Sequence, residues 1–409
     1  MSVIYKLRIL SVIFFMLQAL NCYCQEVSVI NVGEALSCKN VAPLSSIASK
    51  IEYTIMGEGE LLMGDAMFSE VFYADEKHIY VAMIGTDMNA GCHKFTKDGK
   101  LVSSFVYKGR QGSEFSRFLD IDVAPDTKNI AVRDLTKVMI YDMNGKFINY
   151  VQICDVGDIT SDFLLLAHSV QFLSGGKILL LGRDARTNEG YAVIYNIDGD
   201  LIMRKKISDP AFSRRAKNPI GGKYGTIYAL QTFSNWNGRI KLITQNEDVI
   251  YSFDGQMNKK PAFVLDFGKY RSSSLKKDWE ESRMQISTSQ FQENDRFVMF
   301  RVALGAESGI LPEQNGEDGR MLTILYDKKN KATYALKYDV ESGVAGFVND
   351  IDKGMRFKPT SLSGNKMYRF IDAATFISIA GESSSAKMKE VASKLSEDSN
   401  PVLVTVTLL

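Results

Sequence analysis

Four times the chain repeats one short phrase: HKFTKDGKLV, MIYDMNGKFI, VIYNIDGDLI and VIYSFDGQMN, each a strand, a tight turn and a second strand. Aligned on their turns, Asp98-Gly99, Asn144-Gly145, Asp198-Gly199 and Asp254-Gly255 fall 46, 54 and 56 residues apart. Asn or Asp followed by Gly supplies the positive φ that a two-residue hairpin loop needs. Ahead of each turn runs an alternating segment carrying an aromatic residue, Phe95, Tyr141, Tyr195 or Tyr251. Alternation marks a strand with one buried face. A further apolar run stands upstream of each phrase, in HIYVAMI, NIAVRDL, KILLLGR and RIKLITQ. Each unit therefore holds at least three strands joined by short turns.

A fifth copy stands in MLTILYDKKNKATYAL, Met321 to Leu336, preceded by the strand RFVMFRVAL. The sixth is degenerate: GFVNDI, then MRFKPT, then KMYRFIDAATFISI. Small antiparallel sheets repeating every 45 to 60 residues or so predict a β-propeller, in which each sheet covers its neighbours' apolar faces. Residues 40–409 divided by six allow about 60 per blade. The expected fold is all-β, a six-bladed propeller of four-stranded antiparallel blades, with a short C-terminal helix before the last strand. That helix is SSSAKMKEVASKLSED, with Met388, Val391 and Leu395 at helical spacing and Ser384 or Ser385 as N-cap. A β-sandwich or two tandem β-domains is the rival fold, and it predicts no recurring phrase. The terminal strand VLVTVTLL and the early EVSVINV are the candidates for closing the ring in one shared blade, although EVSVINV fits an outer edge equally well. The polar stretch Ser272 to Asn294 reads as a helical turn or long loop.

Lys6 and Arg8 precede an apolar core, Ile9 to Leu20, of signal-peptide length and too short to span a bilayer comfortably. The expected organisation is a signal peptide at 1–24, cut before Gln25, and a propeller domain at 25–409. In the rival reading Cys22 becomes the lipidated first residue, which would give the only attachment to a membrane. Either way the chain is exported, to the periplasm, outer membrane or exterior. Three cysteines remain after the cut, Cys38, Cys92 and Cys154, too few for a disulfide framework. A formal net charge of +1 gives no case for nucleic acid. Hydrophobic residues at 45% and charged residues at 24% are those of a globular domain with a packed core.

The segment Gly109 to Ile148 resembles the repeat of NHL-type six-bladed propellers, at Gly112, Glu114, Phe115, Val132, Asp134, Tyr141, Asp142, Gly145 and Lys146. More broadly the chain resembles the exported six-bladed propeller proteins, NHL- or TolB-like, of Bacteroides-type bacteria. LSSIASKIEYTIM, FVNDIDKGMRFKP and LSEDSNPVLV carry that likeness. Where that family usually has Gly-Pro-Gly, this chain has GRQGSEF. The resemblance implies the fold more firmly than any task.

No GxSxG elbow, HExxH helix, Walker loop or CxxC pair occurs. Only three histidines, His78, His93 and His168, are present, which leaves little room for a multi-His metal centre. Arg110, Glu114 and Arg117 lie on a loop between blades, of the kind that rims a propeller channel, and are candidates for holding a sugar or peptide. Trp236, in the turn FSNWNGR, is a candidate for stacking on a sugar ring. No cofactor is predicted. Calcium is the cation that DIDVAPD (Asp120, Asp122, Asp126) or VNDID (Asn349, Asp350, Asp352) would take, but calcium wants six or more oxygens wrapped around it. Solvated strand ends and turn caps are the favoured reading of the first motif, and a turn or packing role that of the second. The leading expectation is a non-catalytic binding or scaffolding module for a glycan, peptide or protein partner. The alternative is a metal-assisted hydrolase, lactonase or lyase at the channel mouth, and a weaker third is a sensor acting for a membrane protein.

Overall fold

The computed structural model describes residues 27–38, 41–57, 69–83, 90–153, 165–184, 187, 189–208, 213–217, 224–228, 231–236, 238–244, 247–270, 284–304, 319, 321–339 and 344–409. The expected signal segment, Cys22 and Cys154 lie outside them. Six four-stranded antiparallel sheets form the blades of a propeller. Their innermost strands are Ser69–Ala74, Asp120–Val123, Leu165–Leu173, Gln231–Trp236, Met284–Glu293 and Ser361–Ser363, for blades 1 to 6.

Strand alternation explains the packing. In blade 2, Ile130, Val132, Met139 and Tyr141 pack toward blade 1, against Tyr80, Ala82, Cys92 and Phe105. Their sequence neighbours Ala131, Val138 and Ile140 pack the other way, against Val170, Phe172, Ile178 and Leu180 of blade 3. Similar apolar layers fill the other four blade interfaces. Each fully buried Val, Leu, Ile or Phe contributes about 1.5–3 kcal/mol, so the stability of the disc sits between its blades.

The recurring phrase is the hairpin between the third and fourth strands of blades 1 to 4. It is not a two-residue loop. Gly99 N–H bonds Thr96 O and Thr96 N–H bonds Lys100 O, a four-residue turn closed by a bulge, and the same pattern recurs at Asp142–Lys146 and Asn196–Asp200. Only the glycine is left-handed, with φ of 89° at Gly99, 80° at Gly145 and 98° at Gly199. In blade 4 the frame moves by two residues. Asp254 opens the turn, and Met257, φ 58°, takes the place of the glycine. The residue opening each of the last three turns, Asp142, Asn196 or Asp254, accepts two backbone N–H bonds on its side-chain Oδ1.

Closure departs from expectation. The terminal strand Val402–Leu408 pairs on one side with Lys366–Ile371 and on the other with Ala48–Ile55, within SIASKIEYTI, not with EVSVINV. Ser28–Asn31 instead adds in parallel to the outer strand Lys259–Asp266 of blade 4, the outer-edge alternative. A short helix α1, Val32–Ser37, follows it. GFVNDI and MRFKPT supply no blade strand and meet only in an isolated Phe347–Phe357 bridge. The segment AATFISI, read as strand, is helix α2, Ala373–Glu382, because Ala373, Phe376 and Ala380 bury one helical face. The expected C-terminal helix is α3, Ala386–Ala392, whose N-cap Ser385 accepts from Met388 N–H on its side-chain Oγ. Among Ser272–Asn294, residues 284–293 are the inner strand of blade 5, and 271–283 lie outside the described residues.

Candidate functional site

All six inner strands contribute to one cavity of about 500 Å³ along the propeller axis. Its wall is mostly polar: Glu70, Asp120, Asp122, Ser169, Gln171, Ser234, Asn235, Gln290, Gln292 and Glu293 all reach it, and Trp236 and Lys128 stand where the first strands turn into the second. This volume falls within the range of small-ligand sites.

Two side-chain clamps hold the strands in place. Asp122 of blade 2 accepts the Phe172 N–H of blade 3 at 2.7 Å and the Asn235 amide of blade 4 at 3.0 Å, while that amide also donates to Phe172 O at 2.8 Å. On the other side Gln292 of blade 5 accepts the Leu362 N–H of blade 6 at 2.7 Å, and its amide donates to Glu70 of blade 1. Each clamp thus joins three consecutive blades by a carboxylate and an amide. Asp120 accepts Val170 N–H at 2.8 Å and Asp126 accepts Gly175 N–H at 2.7 Å, so DIDVAPD staples blade 2 to blade 3 rather than marking solvated strand ends. Trp236 Nε1 donates to Asp295 at 2.8 Å, joining blade 4 to blade 5, and Asn294 donates to Gly364 O at 3.1 Å, joining blade 5 to blade 6.

Two groups stand apart from this network. Ser169 and Gln171, 7% and 6% exposed, face the cavity, and among the described residues neither Ser169 Oγ nor Gln171 Oε1 has a hydrogen-bond partner. Their neighbours Val170 and Phe172 are turned into the blade 2–3 interface by strand alternation. A buried polar atom without a partner costs about 1–3 kcal/mol, which a bound ligand would recover. Gln290, also on the wall, holds a φ of 56° at an irregularity in its strand, a strained geometry of the kind that gathers at binding sites.

Burial raises the cavity carboxyls. Glu70 is pushed up to about 7 by burial and the nearby Asp120, Asp122 to about 7 and Asp120 to about 6 by burial. A carboxyl raised in the folded state binds its proton more tightly there than in the unfolded chain. Its stabilising effect is complete below the ordinary carboxylate range and disappears as pH rises through the folded value. His93, lowered by burial to about 4, acts in the opposite sense, but only up to its ordinary 6.5. Among the described residues, the carboxyls are the shifted groups that titrate between pH 6.5 and 8. Unfolding free energy should fall there by about 1–2 kcal/mol. Urea denaturation at those two pH values checks this, and Glu70→Gln should remove about half of the fall.

The sequence-derived candidates are distributed unevenly. Trp236 is on the cavity wall. Arg110, Glu114 and Arg117 are not. Their loop precedes the inner strand of blade 2, whereas the cavity reaches the turn that follows it. The loop leans on blade 2, where Lys137 donates to the carbonyls of Gln111 and Gly112. Glu114 accepts Gln111 N–H and the Arg117 N–H bonds Asp134. Asn349, Asp350 and Asp352 form a separate clamp. Asp350 binds Ser45, while Asp352 accepts from Asn349, Tyr53, Gly354 and Ser385, pinning the N-terminal strand and α3 to blade 6. Among the described residues no three His, Cys, Asp or Glu side chains converge as a metal would require. Cys92 is buried and Cys38 exposed.

The family model for "Domain of unknown function (DUF4934)" matches residues 27–407, from the edge strand to the closing strand. The chain belongs to the DUF4934 family. No curated protein matches it. Among solved structures, this DUF4934 chain is similar to a Bacteroides fragilis protein inferred to be exported. They share 16% identity over 91% of this chain and 98% of that one, with a TM-score of 0.62. A member of the DUF4221 family from Bacteroides vulgatus follows at 12% identity, 88% and 97% coverage and a TM-score of 0.48. The first of these likenesses supports the fold of this DUF4934 member and nothing finer.

Proposed function

We propose that this DUF4934 protein is an exported cell-envelope propeller that binds a glycan, peptide or protein partner at one mouth of its central channel, without turning it over. The observation that carries this reading is the pair Ser169 and Gln171, buried on the wall of a polar cavity with side-chain atoms that no group among the described residues satisfies. Trp236 at the same mouth supplies the flat apolar surface on which a sugar or peptide side chain would rest. Export rests on the charged, apolar leader and on the fold shared with the exported-class Bacteroides protein. The likeness of Gly109–Ile148 to an NHL-type repeat belongs to the same reading.

One observation favours the alternative, a hydrolase or lyase. Glu70, near 7 and beside Asp120, is a carboxyl able to give and take a proton at neutral pH. Glycan and peptide arrays probed with the purified protein separate the two. Binding should be retained without product formation and should weaken roughly tenfold or more in Trp236→Ala, the loss typical of an aromatic anchor. Conversion of a bound compound, abolished by Glu70→Gln, would establish the enzyme reading instead. Equal binding by Trp236→Ala would move the site elsewhere.

A further inference from the structure

Several hydrogen-bond donors on the cavity wall are already committed. The Asn235 amide serves Asp122 and Phe172 O, the Gln292 amide serves Glu70, and Trp236 Nε1 serves Asp295. Lys128 Nζ donates to Pro125 O and lies 5.6 Å from the centre of the Tyr73 ring. Among the described residues the Gln171 amide and the Ser169 hydroxyl remain open, and the acceptor capacity that goes with them is large: Gln171 Oε1, the Ser169 Oγ and the lone pairs left on Glu70 and Asp122.

Charge points the same way. Glu293 is neutralised by Lys241 at 2.6 Å and Lys328 at 2.7 Å, and Arg133 lies near Asp120. The contacts of Glu70 and Asp122 are with neutral donors, the Gln292 and Asn235 amides and the Phe172 N–H. Two half-buried carboxylates bonded to neutral donors among the described residues, on the same wall as two unsatisfied oxygens that are nine-tenths buried, make a wall rich in acceptors and in negative potential. A neutral sugar would bring hydroxyls that are donors and acceptors at once, leaving the charge uncompensated. An ammonium brings three donors, no acceptor and the missing positive charge.

We infer that the channel takes a ligand through a primary ammonium group, held by Glu70, Asp122, Gln171 and Ser169, with the rest of the ligand against Trp236. This rests on the reading of the channel mouth as a binding site and names its ligand class. An amino sugar and a peptide amino terminus are the two sources of such a group.

Isothermal titration at pH 7.5 with glucosamine oligomers and with a dipeptide amide, each beside its N-acetylated counterpart, tests the inference and tells the sources apart. At least one free amine should bind, its acetylated form at least tenfold more weakly. Gln171→Met, which removes the orphan oxygen at nearly constant shape, should weaken the amine by a similar factor. Glu70→Gln should do the same, and circular dichroism confirms that both variants fold. Binding of an acetylated form as tightly as the amine overturns the ammonium inference while leaving a channel ligand in place. So does failure of all four probes when an array ligand still depends on Trp236. If the four probes fail and the array ligands ignore both Trp236→Ala and Gln171→Met, both readings fall together.

Discussion

Glu293→Ala should lower the unfolding free energy by about 3–5 kcal/mol, the cost of breaking a buried ion pair from one side. The carboxylate sits at the end of the inner strand of blade 5, its side chain 4% exposed. One oxygen meets Lys241 on the second strand of blade 4 at 2.6 Å, and the other meets Lys328 in the blade 5 hairpin at 2.7 Å. Lys241 is itself 11% exposed, so removal of the carboxylate strands an ammonium with little access to water. Lys328 keeps a bond to Asn294 O and is more exposed, so it suffers less. Glu293→Gln, which preserves shape, should cost less than Glu293→Ala. Adding Lys241→Met to the alanine variant should restore part of the loss, because it removes the stranded charge. Urea midpoints at constant slope measure all three. A loss under about 1 kcal/mol for Glu293→Ala would show that water reaches Lys241 and that this triad does not tie blade 4 to blade 5.

The contrast between Glu293 and the hairpins shows what was legible in the sequence. Asp98-Gly99, Asn144-Gly145 and Asp198-Gly199 announce their turns because the physics is local: a left-handed glycine and one side chain bonding backbone a few residues on. Their recurrence gave the blade count. At Asp254-Gly255 the same letters misled, because Met257 rather than the glycine takes the positive φ, and a dipeptide match cannot sense a two-residue frame shift. Channel residues were harder. The inner strand of blade 5, MQISTSQFQE, faces a polar cavity with Gln290, Gln292 and Glu293 and so lacks the apolar alternation by which a strand is recognised. It read as loop for the reason that makes it interesting. Glu70 meets Gln292, 222 positions away, and Asp122 meets Asn235, 113 positions away, through ring geometry that no spacing in one sequence discloses. The alternating carboxylates of DIDVAPD were visible, but their acceptor role toward blade 3 was not. The signal in the sequence that marks the channel is negative: polar residues stand in a strand where apolar alternation would be expected.

A chain ending at Asn400 should lose cooperative folding altogether. The strand Val402–Leu408 lies between Ala48–Ile55 and Lys366–Ile371, so its removal opens the ring and unpairs the N-terminal strand at the same stroke. Val402, Leu403, Val404 and Val406 are each 0% exposed, and at about 1.5–3 kcal/mol per fully buried side chain they contribute roughly 6–12 kcal/mol. That is the size of a typical domain's entire stability, about 5–15 kcal/mol. The side chains serve two interfaces, Leu403 facing blade 1 and Val402, Val404 and Val406 facing blade 5, so neither neighbour can compensate for the other. Arg296 of blade 5 adds to the closure: it bonds Leu409 O at 3.1 Å while its other nitrogens hold the fully buried Asp327, and truncation would remove the first of these bonds. Thermal unfolding followed by circular dichroism should show no sigmoidal transition for the truncated chain, and limited proteolysis should cut it throughout rather than at loops. A truncated chain that still melted cooperatively within a few degrees of the full one would mean that the six inter-blade layers hold the disc without the clasp. The channel, whose clamps each need three consecutive blades in register, would then owe its shape to local blade contacts and not to closure of the ring.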